Sequence, residues 1–77
     1  MNLHLFTPSY MFIGAYAANG EIKGSIMRDI DSVEVELRKD EILQLQNDLA
    51  ASSCCRDTLH VWFVKLRAQR SNLRVAQ

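Results

Sequence analysis

Four residues whose side chains can do chemistry fall close together, Cys54, Cys55, Asp57 and His60. A thiol beside an imidazole is the raw material of a nucleophile and its base, and sulfurs with a nitrogen and a carboxylate are the raw material of a metal site. Neither chemistry fits this spacing. Nucleophile and base are brought together by a fold rather than by nearness in sequence, and 77 residues leave little wall for a pocket that excludes water. Zinc takes four ligands, and with His4 far away two adjacent sulfurs and one imidazole match no recognised ligand pattern. A disulfide between neighbours would be strained and would close almost no loop. Free thiols in a reducing compartment are therefore expected, in a helix-to-strand turn with one thiol buried. No catalytic residue, metal or cofactor is expected.

The remaining chemistry-bearing residues point to surfaces. Gly14, Gly20 and Gly24 are spread out and make no phosphate-binding loop; Gly14 and Gly24 suit the close approach of a helix or a partner backbone to a sheet. Glu34 and Glu36 share one side of an extended segment, where the plain reading is solvation and the functional one a partner contact. Tyr10, Phe12 and Tyr16 beside Lys23 resemble strand aromatics that stack on single-stranded RNA bases. Core or dimer packing explains the same aromatics with fewer assumptions.

These residues need elements to position them. The strongest local signal is Asn19-Gly20 between two apolar runs, since a two-residue type I′ turn needs positive φ at both central positions. That turn pairs Ala18 with Glu21, Ile13 with Ile26 and Phe12 with Met27. One face then carries Met11, Ile13, Ala15, Ala17, Ile22, Gly24 and Ile26, and suits a covering helix. The other carries Tyr10, Phe12, Tyr16, Lys23, Ser25 and Met27, with the character of a surface awaiting a partner.

Residues 1–8 show no period, although Leu3 and Leu5 could extend a strand, and are expected to be less ordered. Val33, Val35 and Leu37 alternate with Glu34 and Glu36, so 31–38 reads as extended. Ile42, Leu45 and Leu49 recur at helical spacing from Glu41 to Ala51, with Asp40 placed to cap the start. Thr58–Leu66 is β-branched and aromatic and reads as a strand apolar on both faces. A helix is its rival, because Leu59, Trp62, Phe63, Leu66 and Leu73 also lie on one helical stripe. The tail from Ala68 to Gln77 is polar and basic, frayed or helical.

The predicted architecture is one α+β domain, ββαβ. Its three-stranded antiparallel sheet has the first strand in the middle and one helix on one face, reached by a right-handed crossover. The other face is left open, and Trp62 on the last strand joins Tyr10, Phe12 and Tyr16 as a candidate contact residue.

Composition agrees with a single globular domain. The chain is 48% hydrophobic and 23% charged, and nine basic residues balance nine acidic ones, so no net field draws it to nucleic acid or an anionic membrane. Acids cluster between Asp29 and Asp48, whereas beyond Asp57 every formal charge is positive. Ala15-Tyr16-Ala17 has the small-x-small form of a signal-peptidase site, but no Lys or Arg precedes it and Thr7-Pro8-Ser9 breaks the apolar run. No apolar run approaches the ~20 residues a membrane span needs, and a cytoplasmic protein is expected.

The aromatic hairpin Tyr10–Arg28, the acid-capped helix Asp40–Ala51 and the apolar stretch Leu59–Leu66 together resemble small proteins encoded by bacteriophages and other mobile elements. The resemblance spans residues 9–67, is architectural and includes no individual sequence motif. It implies inhibition of a host factor, such as a toxin, a defence nuclease or a CRISPR complex, by surface occlusion. The expected function is thus non-catalytic protein binding, with contacts from Tyr10, Phe12, Tyr16, Lys23, Trp62, Glu34 and Glu36. A single-stranded nucleic-acid binder and a bare homodimeric assembly module are the alternatives. No membrane or small-molecule partner is expected.

Overall fold

In the computed structural model the chain forms β1 (Asn2–Phe6), β2 (Tyr10–Tyr16), β3 (Ile22–Arg28), β4 (Val33–Leu37), α1 (Lys39–Ala51) and α2 (Cys55–Val75). The structure describes residues 2–16 and 22–75, with side chains over 4–14 and 23–70. Each strand pairs antiparallel with the one before it, so the sheet runs β1-β2-β3-β4 as an unbroken meander. The α+β class and the antiparallel sheet agree with the sequence. The expected three strands and one helix do not, and neither does the crossover: among the described residues there are four strands, then two helices.

Each difference has a local cause. The alternation from Val33 to Leu37 is that of a true strand, with Val35 and Leu37 buried and Glu34 and Glu36 exposed. A tight turn at Pro8-Ser9, where Ser9 takes φ 80°, folds β1 back onto β2, and the Thr7 N–H donates to the Tyr10 carbonyl at 2.9 Å. Thr58–Leu66 is helical because its burial follows the helical stripe. Leu59, Trp62, Phe63 and Leu66 are buried while His60, Val61, Val64 and Lys65 are exposed. A strand would have put Trp62 and Phe63 on opposite faces; the helix puts both into one core and overrides β-propensity. Cys54 and Cys55 are free, half-buried thiols at a helix-to-helix turn, not a helix-to-strand turn.

Helix α1 begins at Lys39, and Arg38 is its N-cap residue. The expected Asp40 cap is replaced by Glu41, whose Oε1 accepts the Arg38 N–H at 2.9 Å. The same Oε1 accepts from Arg70 Nη2 at 2.9 Å, which ties the start of α1 to α2. Ile42 and Leu45 point into the core, and Gly24 makes room for Ile42: a Cβ on Gly24 would stand 2.9 Å from Ile42 Cδ1 and 2.8 Å from the Ile13 carbonyl oxygen. Gly24 is thus a site of close helix approach, as its isolation in a strand suggested.

The hairpin register is the consequential correction. Tyr16 pairs with Ile22, which leaves residues 17–21, an odd number, between the strands. Phe12 then stands opposite Ile26 and Ile13 opposite Ser25, one residue away from the predicted pairing. Asn19-Gly20 and the Ala18 to Glu21 pair lie outside the described residues. A slip of one residue along one strand regroups the side chains of the pair. Tyr10, Phe12 and Ile26 consequently share the core face with Val35 and Leu37, and one cluster joins them to Ile42, Leu45, Leu59, Trp62, Phe63 and Leu66. Both helices therefore cover the same face of the sheet.

Candidate functional site

The face left uncovered is composed by the three strand registers acting together. Reading across β1, β2, β3 and β4, one row is Phe6, Met11, Met27, Glu34 and the next is His4, Ile13, Ser25, Glu36. Each row begins with a ring on the edge strand, continues through the two central strands and ends in a carboxylate. The face therefore carries an aromatic and an imidazole ring along β1, apolar side chains at Met11 and Ile13 of β2, and carboxylates along β4. Phe6 is 69% exposed, and its ring stacks on His4 with centroids 6.2 Å apart. Met11 and Met27 stand directly opposite one another and are partly exposed, as is Ile13. A shallow depression lined by Ile13, Lys23, Ser25, Glu34 and Glu36 lies toward the acidic side.

The predicted contact residues divide between the two faces. Lys23, Glu34 and Glu36 are exposed on the uncovered one. Tyr10 and Phe12, expected there, are instead buried at 5% and 3% exposure under the helices. The cause is the register: aromatics of this size are placed where the helices supply large apolar partners, and Tyr10 packs edge-on against Phe63 with centroids 5.6 Å apart. The Tyr10 hydroxyl is hydrogen-bonded to His60 Nδ1. The side chain of Tyr16 lies outside the described residues. Trp62 is buried on α2 rather than displayed on a strand, and its indole N–H donates to Asp48 Oδ2 at 2.8 Å. Lys65 Nζ lies 4.8 Å from the Trp62 ring centroid.

Phe6, Met11 and Ile13 replace the lost aromatics as the apolar part of the face, with His4 beside Phe6. The sequence signal for Phe6 is weak, because β1 is short and without period. Once β1 pairs with β2, though, the register places Phe6 and His4 without ambiguity. The acidic margin at Glu34 and Glu36 was legible from their alternation.

His60 turns to Tyr10, Ser52 and Thr58 satisfy the Cys54 carbonyl, and among the described residues no group of three or more His, Cys, Asp or Glu side chains converges on a metal-sized space. Among the same residues no helix is long and apolar enough to cross a membrane. No protein-family model, curated protein or solved structure matches the chain.

Proposed function

We propose that this chain is a non-catalytic binding protein whose contact surface is the uncovered sheet face, and that its partner is a protein. The observation that supports this reading is the pair of rows across the face, with exposed Phe6 and the facing methionines Met11 and Met27 at one side and two carboxylates at the other. Methionine is polarizable and flexible, and an opposed pair adapts to the contours of a partner. An apolar surface with an acidic border fits a partner site that has an apolar centre and a basic margin. A site of that kind built for nucleic acid would be blocked by this face, which is the inhibition by occlusion that the resemblance to mobile-element proteins implies.

The nucleic-acid reading needs its stacking residues and its cations on one side of the molecule. Lys65, Arg67 and Arg70 lie on α2, across the sheet from Phe6, and Lys23 on the uncovered face is outnumbered there by Glu34 and Glu36, which stand in the path of phosphates. Protein is the better partner on both counts. Immobilised wild-type chain should retain a defined protein from host lysate. Met27→Asp and Ile13→Asp should lose it, and Val61→Asp, at an exposed position of α2, should keep it. Equal retention by all four chains would place the contact elsewhere.

A further inference from the structure

The two edges of the sheet are finished differently. The bond from the Thr7 N–H to the Tyr10 carbonyl fixes which backbone groups of β1 point inward, because inward and outward pairs alternate along an antiparallel ladder. Thr7 and Leu5 turn their N–H and C=O groups toward β2. Phe6, His4 and Asn2 turn theirs to the free edge. Carried across the registers, the same alternation makes Glu34 and Glu36 the outward residues of β4. Two hydrogen bonds agree with it: the Asp29 N–H to the Ser9 carbonyl at 3.0 Å, and Arg70 Nη2 to the outward Glu36 carbonyl at 3.0 Å.

Edge β4 is therefore guarded, with a carboxylate at both outward residues and a guanidinium from α2 across one carbonyl. Charged side chains and a covered backbone are the usual means of preventing strand addition. Edge β1 has neither. Its five residues, Asn2-Leu3-His4-Leu5-Phe6, include no Asp, Glu, Lys, Arg or Pro, and among the described residues no hydrogen bond reaches its outward groups.

We infer that β1 is a self-association edge, and that its occupant is β1 of a second copy of this chain, antiparallel about a two-fold axis at His4. A second copy fits because its β1 brings the same uncharged outward residues, whereas two copies of β4 would set Glu34 against Glu36. With His4 on the axis, the outward residues meet only outward residues: His4 faces His4, and Asn2 faces Phe6 in both directions. Each of these pairs exchanges two backbone bonds. A shift by one residue would set outward groups against inward ones, a shift by two in one direction would run Asn2 against Pro8, which has no N–H, and a shift by two in the other would remove Phe6 from the pairing with Asn2. On the core side the same register sets positions 3 and 5 of one copy against 5 and 3 of the other. There a notch lined by His4, Leu5, Phe12, Gln46 and Leu49 borders the strand. Closing the edge makes a continuous eight-stranded sheet from two four-stranded ones. It also joins the two uncovered faces at His4.

Sedimentation velocity of the full chain, from low micromolar to several hundred micromolar, tests this. The wild type should move from monomer to dimer over that range. His4→Lys sets two ammonium groups opposite each other on the axis and should leave a monomer with an unchanged circular-dichroism spectrum. In case that variant misfolds, amide exchange of the wild type gives a second reading. The His4 and Phe6 amides should exchange at least tenfold more slowly at the high concentration than at the low one, while the Glu34 amide, on the guarded edge, does not change. A wild type that stays monomeric, a dimer that His4→Lys leaves intact, or His4 and Phe6 amides indifferent to concentration would overturn the inference. Met27→Asp lies away from the edge and should still dimerise, so failure here and failure of the face as a partner surface are distinguishable.

Discussion

Phe12 and Ile26 stand opposite each other on the covered face of the sheet, at 3% and 0% exposure, and one residue along the same strands Met11 and Met27 stand opposite each other on the uncovered face, partly open to solvent. Both pairs are apolar, and hydrophobicity alone does not say which belongs inside. What separates them is the surface each is offered. Helices α1 and α2 bring Ile42, Leu45, Leu59, Phe63 and Leu66 to the covered face, and large rings fill that space. The methionines stand on the face that neither helix covers, outside that cluster.

The sharpest way to break this comparison is to remove a ring from each face. Phe12→Ala should cost about 3–5 kcal/mol, because it empties a closed core. Phe6→Ala should change stability by no more than about 0.5 kcal/mol. Chemical denaturation measures both, and similar losses would mean that the two faces are not distinct in the way described. A smaller effect tests how closely the helix layer lies on the covered face. Gly24→Ala drives a methyl against the Ile13 carbonyl and Ile42 and should cost about 1–3 kcal/mol, where an open position would tolerate alanine. A melting temperature equal to the wild type would place α1 further from the sheet. Smaller again is the loss expected for Asp48→Ala, about 1–2 kcal/mol, which leaves the Trp62 indole N–H without its acceptor at the margin of the helix layer. In a double-mutant cycle, Asp48→Ala should cost much less once Trp62→Phe has removed the indole donor.

The sequence made part of this comparison legible. Alternation around Glu34 and Glu36 marked 31–38 as extended, though not as a fourth strand of the sheet, the Ile42, Leu45 and Leu49 stripe identified α1, and Gly24 announced a close approach. The rest depended on information that local pattern does not contain. A strand apolar on both faces reads almost the same in either register, so Tyr10 and Phe12 could not be told from Met11 and Ile13 by type. The pairing of Tyr16 with Ile22 is offset by one residue from the register that Asn19-Gly20 suggested. Helix α2 was hidden because Val61, Val64 and its aromatics favour strands, while its helical stripe was equally present. The contacts that join the layers, Tyr10 with His60 and Glu41 with Arg70, link residues 50 and 29 positions apart and leave no mark in a local window.

Register is the claim on which the uncovered face rests, and nuclear Overhauser contacts between α-protons read it directly. In the pairing described, Phe12 and Ile26 form a non-hydrogen-bonded pair, whose α-carbons approach to about 4.5 Å with their α-protons face to face. A strong contact between the Phe12 and Ile26 α-protons, repeated between Tyr10 and Arg28, is the predicted result. A contact between Ile13 and Ile26 in its place would turn the hairpin over, return Tyr10 and Phe12 to solvent, and contradict the account.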